Sequence, residues 1–272
     1  MNGNRRAWND LLQRPVETMK KQLQIFLNAV MFFTRIPVPR NLPYSDEMLN
    51  RSTCYLPLVG WVVGGLGATV FCVAQRVFPP GLAILLSMLA TILATGAFHE
   101  DGFADFCDAF GGGHSRERIL AIMKDSRLGT YGSIGLVGML ATKFMSLSTV
   151  HVASVPLVML AGHALSRLMP IVLINTSRYS REDTTSKSRA IAQKGRGFDF
   201  ALAVLFGLAF LAFLPLHFVL AIVPVLLLMT FVFRSYVTKK IGGYTGDCLG
   251  ALQQLAEVVF YLGYVLFQDL PV

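Results

Sequence analysis

Charge is scarce in this 272-residue chain: Asp, Glu, Lys and Arg together make up 15%, against 54% hydrophobic residues and a mean hydropathy of +0.55. That balance excludes an ordinary soluble domain, which carries about 25% charged residues. The four cysteines, Cys54, Cys72, Cys107 and Cys248, form no CxxC pair and no zinc spacing, so neither a disulfide framework nor a structural zinc site is expected. No secretory signal is expected at the amino end: the apolar stretch near Ile25 to Phe33 comes late, is broken by Asn28 and lacks a small-residue cleavage site. Lys and Arg are absent from 78–80, 151–153 and 215–217, although the net charge is +8.

Long apolar runs fill the space. A transmembrane helix needs about twenty mostly apolar residues, and seven candidates stand out: 55–75, 81–98, 132–150, 154–174, 200–215, 217–233 and 255–268. The expected fold is therefore an all-α, polytopic integral membrane protein with about seven transmembrane helices. An N-terminal helix within 8–33, cytoplasmic or interfacial, precedes them. No Pro/Ser/Gly-rich linker divides the spans, so residues 25–272 form one catalytic domain and residues 1–24 a basic extension. The Lys and Arg residues concentrate before residue 52 and in 99–131, 175–198 and 234–254. By the positive-inside rule these segments face the cytoplasm together, the amino terminus lies inside and the carboxyl terminus outside. The basic charge is a topology signal here, not a nucleic-acid footprint; the expected macromolecular environment is the lipid bilayer.

Into this apolar chain is set FHEDGFADFCDAFGGG (98–113), with a histidine and four carboxylates between 99 and 108. On one helix Asp101, Asp105 and Asp108 are i, i+4 and i+7, within roughly 60° of one face. Such a face needs a cation among its charges, and Mg²⁺ suits carboxylate oxygens shared with a substrate's phosphates. Glu100, Asp101, Asp105, Asp108 and the distant Asp247 are the candidate metal ligands, while a solvated acidic helix end is the bland alternative. KDSRLGTYG (124–132) offers Lys124 and Arg127 to phosphate, with Gly129 permitting close backbone approach and Tyr131 beside it; a lipid-headgroup patch would read the same way. GGYTGDCLG (242–250) is a glycine-rich turn whose Thr245 and Gly246 could meet an anion, though it lacks the Walker ending. Arg35 stands alone between Phe33 and Ile36, a snorkelling position by default. Lys143, Arg167 and Glu257 are ionisable residues within spans and hence functional candidates. For a general base, His99 competes with Asp105 and Asp108. On a continuous helix His99 would point about 160° from Asp101, so it can serve only if the helix breaks or begins there. Acids, bases and glycine turns at one membrane face suit phosphoryl transfer.

These motifs, in the order FFTRIPVP (32–39), LPLVG (56–60), HEDGFADFCDAFGGG (99–113), KDSRLGTYG and GGYTGDCLGALQQLAEV (242–258), resemble the cobalamin synthase family, also called adenosylcobinamide-GDP ribazoletransferase. The resemblance runs from about residue 25 to the carboxyl end. It implies a Mg²⁺-dependent enzyme of the bacterial inner membrane whose small-molecule substrates are adenosylcobinamide-GDP and α-ribazole or its 5′-phosphate. A hydroxyl of the latter attacks the cobinamide-side phosphate and GMP leaves. Glu100 stands where the family pattern usually has leucine, and Phe106 and Cys107 replace small or polar residues; Asp101, Asp105 and Asp108 are retained. A CDP-alcohol-type lipid phosphotransferase and a membrane transporter are the competing readings, and a homo-oligomer is left open.

The expected orientation has a direct check. A thiol introduced in 234–254 should resist a membrane-impermeant reagent applied from outside the cell; labelling there would reverse the assignment.

Overall fold

The computed structural model describes residues 19–125, 127–180 and 197–269. Most of the Lys- and Arg-rich segment 175–198, and residues 1–18 of the extension, fall outside these. Eleven helices follow one another, and no strand occurs among the described residues. They are α1 (19–33), α2 (Asp46–Ser52), α3 (Leu56–Ala74), α4 (Pro80–Thr95), α5 (Phe98–Gly112), α6 (Arg116–Ile122), α7 (Thr130–Thr149), α8 (Val155–Thr176), α9 (Gly197–Leu208), α10 (Leu216–Ile241) and α11 (Gly246–Phe267).

The all-α polytopic membrane architecture holds; the count of seven spans is not reached by length and composition. Four described stretches are long and apolar enough to cross a bilayer: Asp46–Ala74, Val152–Thr176, Leu216–Ile241 and Gly246–Phe267. The pair α4 and α5 makes a fifth if taken as one broken span, but the two helices meet at 88°. The expected fifth span is only the short apolar helix Gly197–Phe213. Helix α7 has the length, yet Lys143 and its Gly, Ser and Thr residues keep it below the apolar level of the others.

Helix α8 is the axis of the bundle, with 89% of its apolar window buried, whereas α10 is only 28% buried and presents Leu220, Leu228 and Val232 outward. Around α8 pack α3, α9 and α11, and α11 also touches α5, α7 and α10. Buried charge ties three of these together. Lys143 of α7 donates to Glu257 of α11 at 2.9 Å, and Gln253 (2.7 Å) and Tyr261 (3.3 Å) also donate to Glu257. From α8, Ser166 accepts from Gln253 at 3.0 Å, and Arg167 bonds His163 Nδ1 at 2.9 Å. Lys143 thus pairs with a neighbouring helix; an unpaired charge at this depth would be costly.

The local sequence explains the ends. Ser45 caps α2, and Ser115 caps α6 by accepting from Arg118 N–H, as its position before Ile119 and Leu120 predicts. That helix ends at Ile122. The 88° corner between α4 and α5 is built from two consecutive left-handed residues, Gly96 (φ 66°) and Ala97 (φ 59°). Gly96 suits this conformation at no steric cost, and Arg35 lies directly over its Cα. Gly96→Ala should lower stability by roughly 1–2 kcal/mol from the left-handed backbone alone, with the crowding against Arg35 adding to it. A thermal melt in detergent that leaves Tm unchanged would show that the corner tolerates a side chain.

Candidate active site

Because α5 turns away from α4, it crosses the end of the bundle and meets the start of α11. The crossing is made by glycines. A Cβ built on Gly102 would sit 3.2 Å from Asp247 Cα, and one on Gly250 3.2 Å from the His99 carbonyl oxygen and 3.4 Å from Gly102 Cα. Only hydrogen at both positions lets the backbones come this close.

A pocket, partly open to solvent, lies at this crossing. Its walls include Phe33 at the end of α1, Leu56 at the start of α3, His99 and Asp101 of α5, and Gly246 and Asp247 of α11. Four of the five sequence motifs therefore meet in one cavity. Helix α5 begins at Phe98, which satisfies the geometric condition on His99: both His99 and Asp101 line the pocket from its first turn. His99 is 4% exposed and neither ring nitrogen has a partner among the described residues. An imidazole so placed is available to exchange a proton with a bound molecule. The first turn of α11 adds N–H groups and the positive end of a helix dipole beside Asp247.

The fifth motif is held at a distance by one acid. Asp108 is 8% exposed and accepts from the backbone N–H groups of Gly129 (2.7 Å) and Gly132 (2.8 Å), capping the start of α7. Both oxygens of its carboxylate thus take helix-end N–H groups, and Asp108 stands apart from the pocket walls. Glu100 turns inward and accepts from Gln254 at 2.9 Å. Asp105 is half-buried on the flank between them. Among the described residues no three His, Cys, Asp or Glu side chains converge as a metal-binding group. The five-acid set Glu100, Asp101, Asp105, Asp108 and Asp247 is thus divided, and only Asp101 and Asp247 reach the pocket.

The expected substrate contacts divide too. Gly246 lines the pocket, but Thr245 is fully buried and accepts from Cys248 N–H as the N-cap of α11. Arg127 is exposed and grips Asp125 through one guanidinium edge, Nε and Nη2, at 2.6 to 3.1 Å, which holds the Asp125 carboxyl below the usual range. Lys124 is exposed nearby and Tyr131 packs over Gly111, both outside the pocket walls. Arg35 covers the corner at Gly96. The phenylalanines between the acids anchor α5: Phe106 stacks on Phe233 at 5.2 Å, and Phe110 lies 5.3 Å from Tyr236. Sequence reasoning missed Gln253, Gln254, His163 and Pro170. Uncharged or common in apolar helices, they carry no spacing signal until the helices pack.

An all-helical, polytopic membrane enzyme with a polar pocket at one end of its bundle is the class these features define. The chain belongs to the cobalamin-5-phosphate synthase family, whose model matches residues 25–265. It is similar to three proteins named adenosylcobinamide-GDP ribazoletransferase. That of Vibrio parahaemolyticus is 44% identical over 251 residues, 92% of this chain and 95% of the relative. That of Shewanella amazonensis is 44% identical over 255 residues, 92% and 98% of the two chains, and that of Vibrio cholerae 42% over 250 residues, 92% and 96%. No solved structure matches the chain.

The two acids should separate by experiment. Asp108→Ala leaves two helix-end N–H groups without their acceptor and should cost about 1–2 kcal/mol of stability. Asp101→Asn, at an exposed position, should leave Tm unchanged. Equal Tm losses in both variants would contradict this division.

Proposed function

We propose that this chain joins adenosylcobinamide-GDP to α-ribazole, or to its 5′-phosphate, and releases GMP, working at the cytoplasmic face of a bacterial inner membrane. The observation that carries the reading is the pocket where four motifs meet, with an unpartnered histidine, two carboxylates and a helix N-terminus on its walls. The relatives' shared name supplies the substrates.

In this reading a ribazole hydroxyl attacks the phosphorus on the cobinamide side of the diphosphate. The bond from that phosphorus to the bridging oxygen breaks, and the oxygen departs with GMP. His99 takes the hydroxyl proton, as its two unpartnered nitrogens permit. The N–H groups at the start of α11 receive phosphate oxygen, the favoured arrangement at a helix N-terminus. Lys124 and Arg127 stand outside the pocket as a basic pair for substrate phosphate. Arg127 can release Asp125 at little cost because that ion pair is solvent-exposed.

Mg²⁺ fits the pocket as a shared ion and not as the occupant of a protein-only cage. Asp101 and Asp247 would hold it together with the diphosphate, since Mg²⁺ commonly takes one or two carboxylates plus substrate phosphates. It would supply neutralisation of phosphate charge. The phenylalanine-rich side of the pocket, with Phe33 and Phe98, gives an apolar surface to a large ligand.

Purified protein given adenosylcobinamide-GDP, α-ribazole and Mg²⁺ should release GMP. His99→Ala should lower kcat by about 10²- to 10⁴-fold, and Asp101→Asn or Asp247→Asn by on the order of 10²-fold. Absence of GMP release by the unsubstituted protein would overturn the reading, and full activity of His99→Ala would remove the histidine from it.

A further inference from the structure

The first turn of α5 carries, beside His99 and Asp101, an acid that faces the other way. Glu100 is 8% exposed and lines a narrow chamber among α3, α4, α7, α8 and α11 instead of the pocket. Its Oε1 accepts from Gln254 Nε2 at 2.9 Å, while its Oε2 and the Nε of Arg167, on the same chamber wall, have no partner among the described residues. The chamber has room for about one or two waters, which is enough to bridge such groups. Gln254 in turn accepts from Lys143, and Lys143 donates to Glu257 at 2.9 Å. One hydrogen bond thus joins the first turn of α5 to the charged assembly that ties α7, α8 and α11 together.

That bond matters because the other side-chain contacts at this end of α5 are apolar: Phe98 meets Phe32 and Phe33 edge-on, each at 5.7 Å, and such contacts define the rotation of the helix less sharply than a hydrogen bond. No side chain caps the helix, and it leaves a corner of two left-handed residues. Its crossing with α11 is made by Gly102 and Gly250, which allow close approach but offer no side chain to set the angle. A rotation of about 20° moves an atom roughly 6 Å from the helix axis by about 2 Å, and a 1 Å misplacement of reacting groups can cost about 10²-fold in rate.

We propose that Glu100 and Gln254 are positioning residues for the transfer: their hydrogen bond, anchored through Lys143 to Glu257, sets the rotation of α5 that aims His99 and Asp101 into the pocket. The inference rests on that pocket being the active site. It also explains why a carboxylate inside an acidic motif faces away from any substrate.

Three variants test it. Gln254→Leu removes the bond, and Gln254→Glu alone sets two carboxylates against each other. Both should lower kcat by about tenfold or more with KM within about twofold. Adding Glu100→Gln to Gln254→Glu restores a hydrogen bond of reversed polarity, with the new carboxylate still beside Lys143, and should recover most of the lost kcat. Hydrogen–deuterium exchange over 98–105 should quicken in Gln254→Leu and return to the original rate in the double variant. Unchanged exchange in Gln254→Leu, or a double variant no better than Gln254→Glu, would overturn the proposal. Should Gln254→Leu fail to fold, the Gln254→Glu and double-variant pair still decides it. If the unsubstituted protein releases no GMP, the reading of the pocket fails, while the exchange rates still decide whether Gln254 holds α5.

Discussion

The corner at Gly96 and Ala97 is the constraint on which the rest of the structure depends. Were α4 to continue as a straight helix, the acidic motif would run on along the axis of α4 instead of across the end of the bundle. Two consecutive left-handed residues instead turn the chain through 88°. The acids then lie where water and substrate can reach them, and the first turn of α5 lands against the first turn of α11. The glycine crossing, the pocket and the inward turn of Glu100 all follow from that one change of direction. Ala97 adopts a conformation that is unfavourable for an L-residue, so the surrounding packing must hold it there.

Among the described residues, the ionisable side chains of the inner network meet polar counterparts, whereas His99 beside the pocket does not. Glu257 is approached by Lys143, Gln253 and Tyr261, and Arg167 by His163. Such an assembly is weak as a source of stability, because desolvation offsets much of the attraction. Its value lies in direction. Apolar helices slide and rotate against one another at small cost, whereas a hydrogen-bonded charged group accepts few orientations. The same holds for Asp108, which uses both carboxylate oxygens to fix where α7 begins relative to α5.

Much of the architecture was legible in the chain because bilayer chemistry acts on composition. The apolar runs marked their helices, and scarce charge marked the polar end of the bundle. Span number was less legible. A hydropathy run does not say whether α4 crosses straight or breaks into α5, and α7 is a full-length helix made polar by Lys143 and its small residues. Within the acidic motif, periodicity placed Asp101, Asp105 and Asp108 on one stripe. A stripe is a property of one helix, and what each acid meets is decided by its neighbours.

By itself the sequence determined the all-helical class, the clustering of the motifs at one end, the family, and the residue types able to handle phosphate and metal. It could do so because each is set by local composition or by contiguous patterns. Only the tertiary structure decided that Asp101 and Asp247, 146 positions apart in the chain, share one pocket, that Asp108 is a cap, that Thr245 is buried, and that Glu100 belongs to an inner network. These depend on how α5 crosses α11, and that crossing comes from a corner and two glycines whose partners lie far away in the sequence.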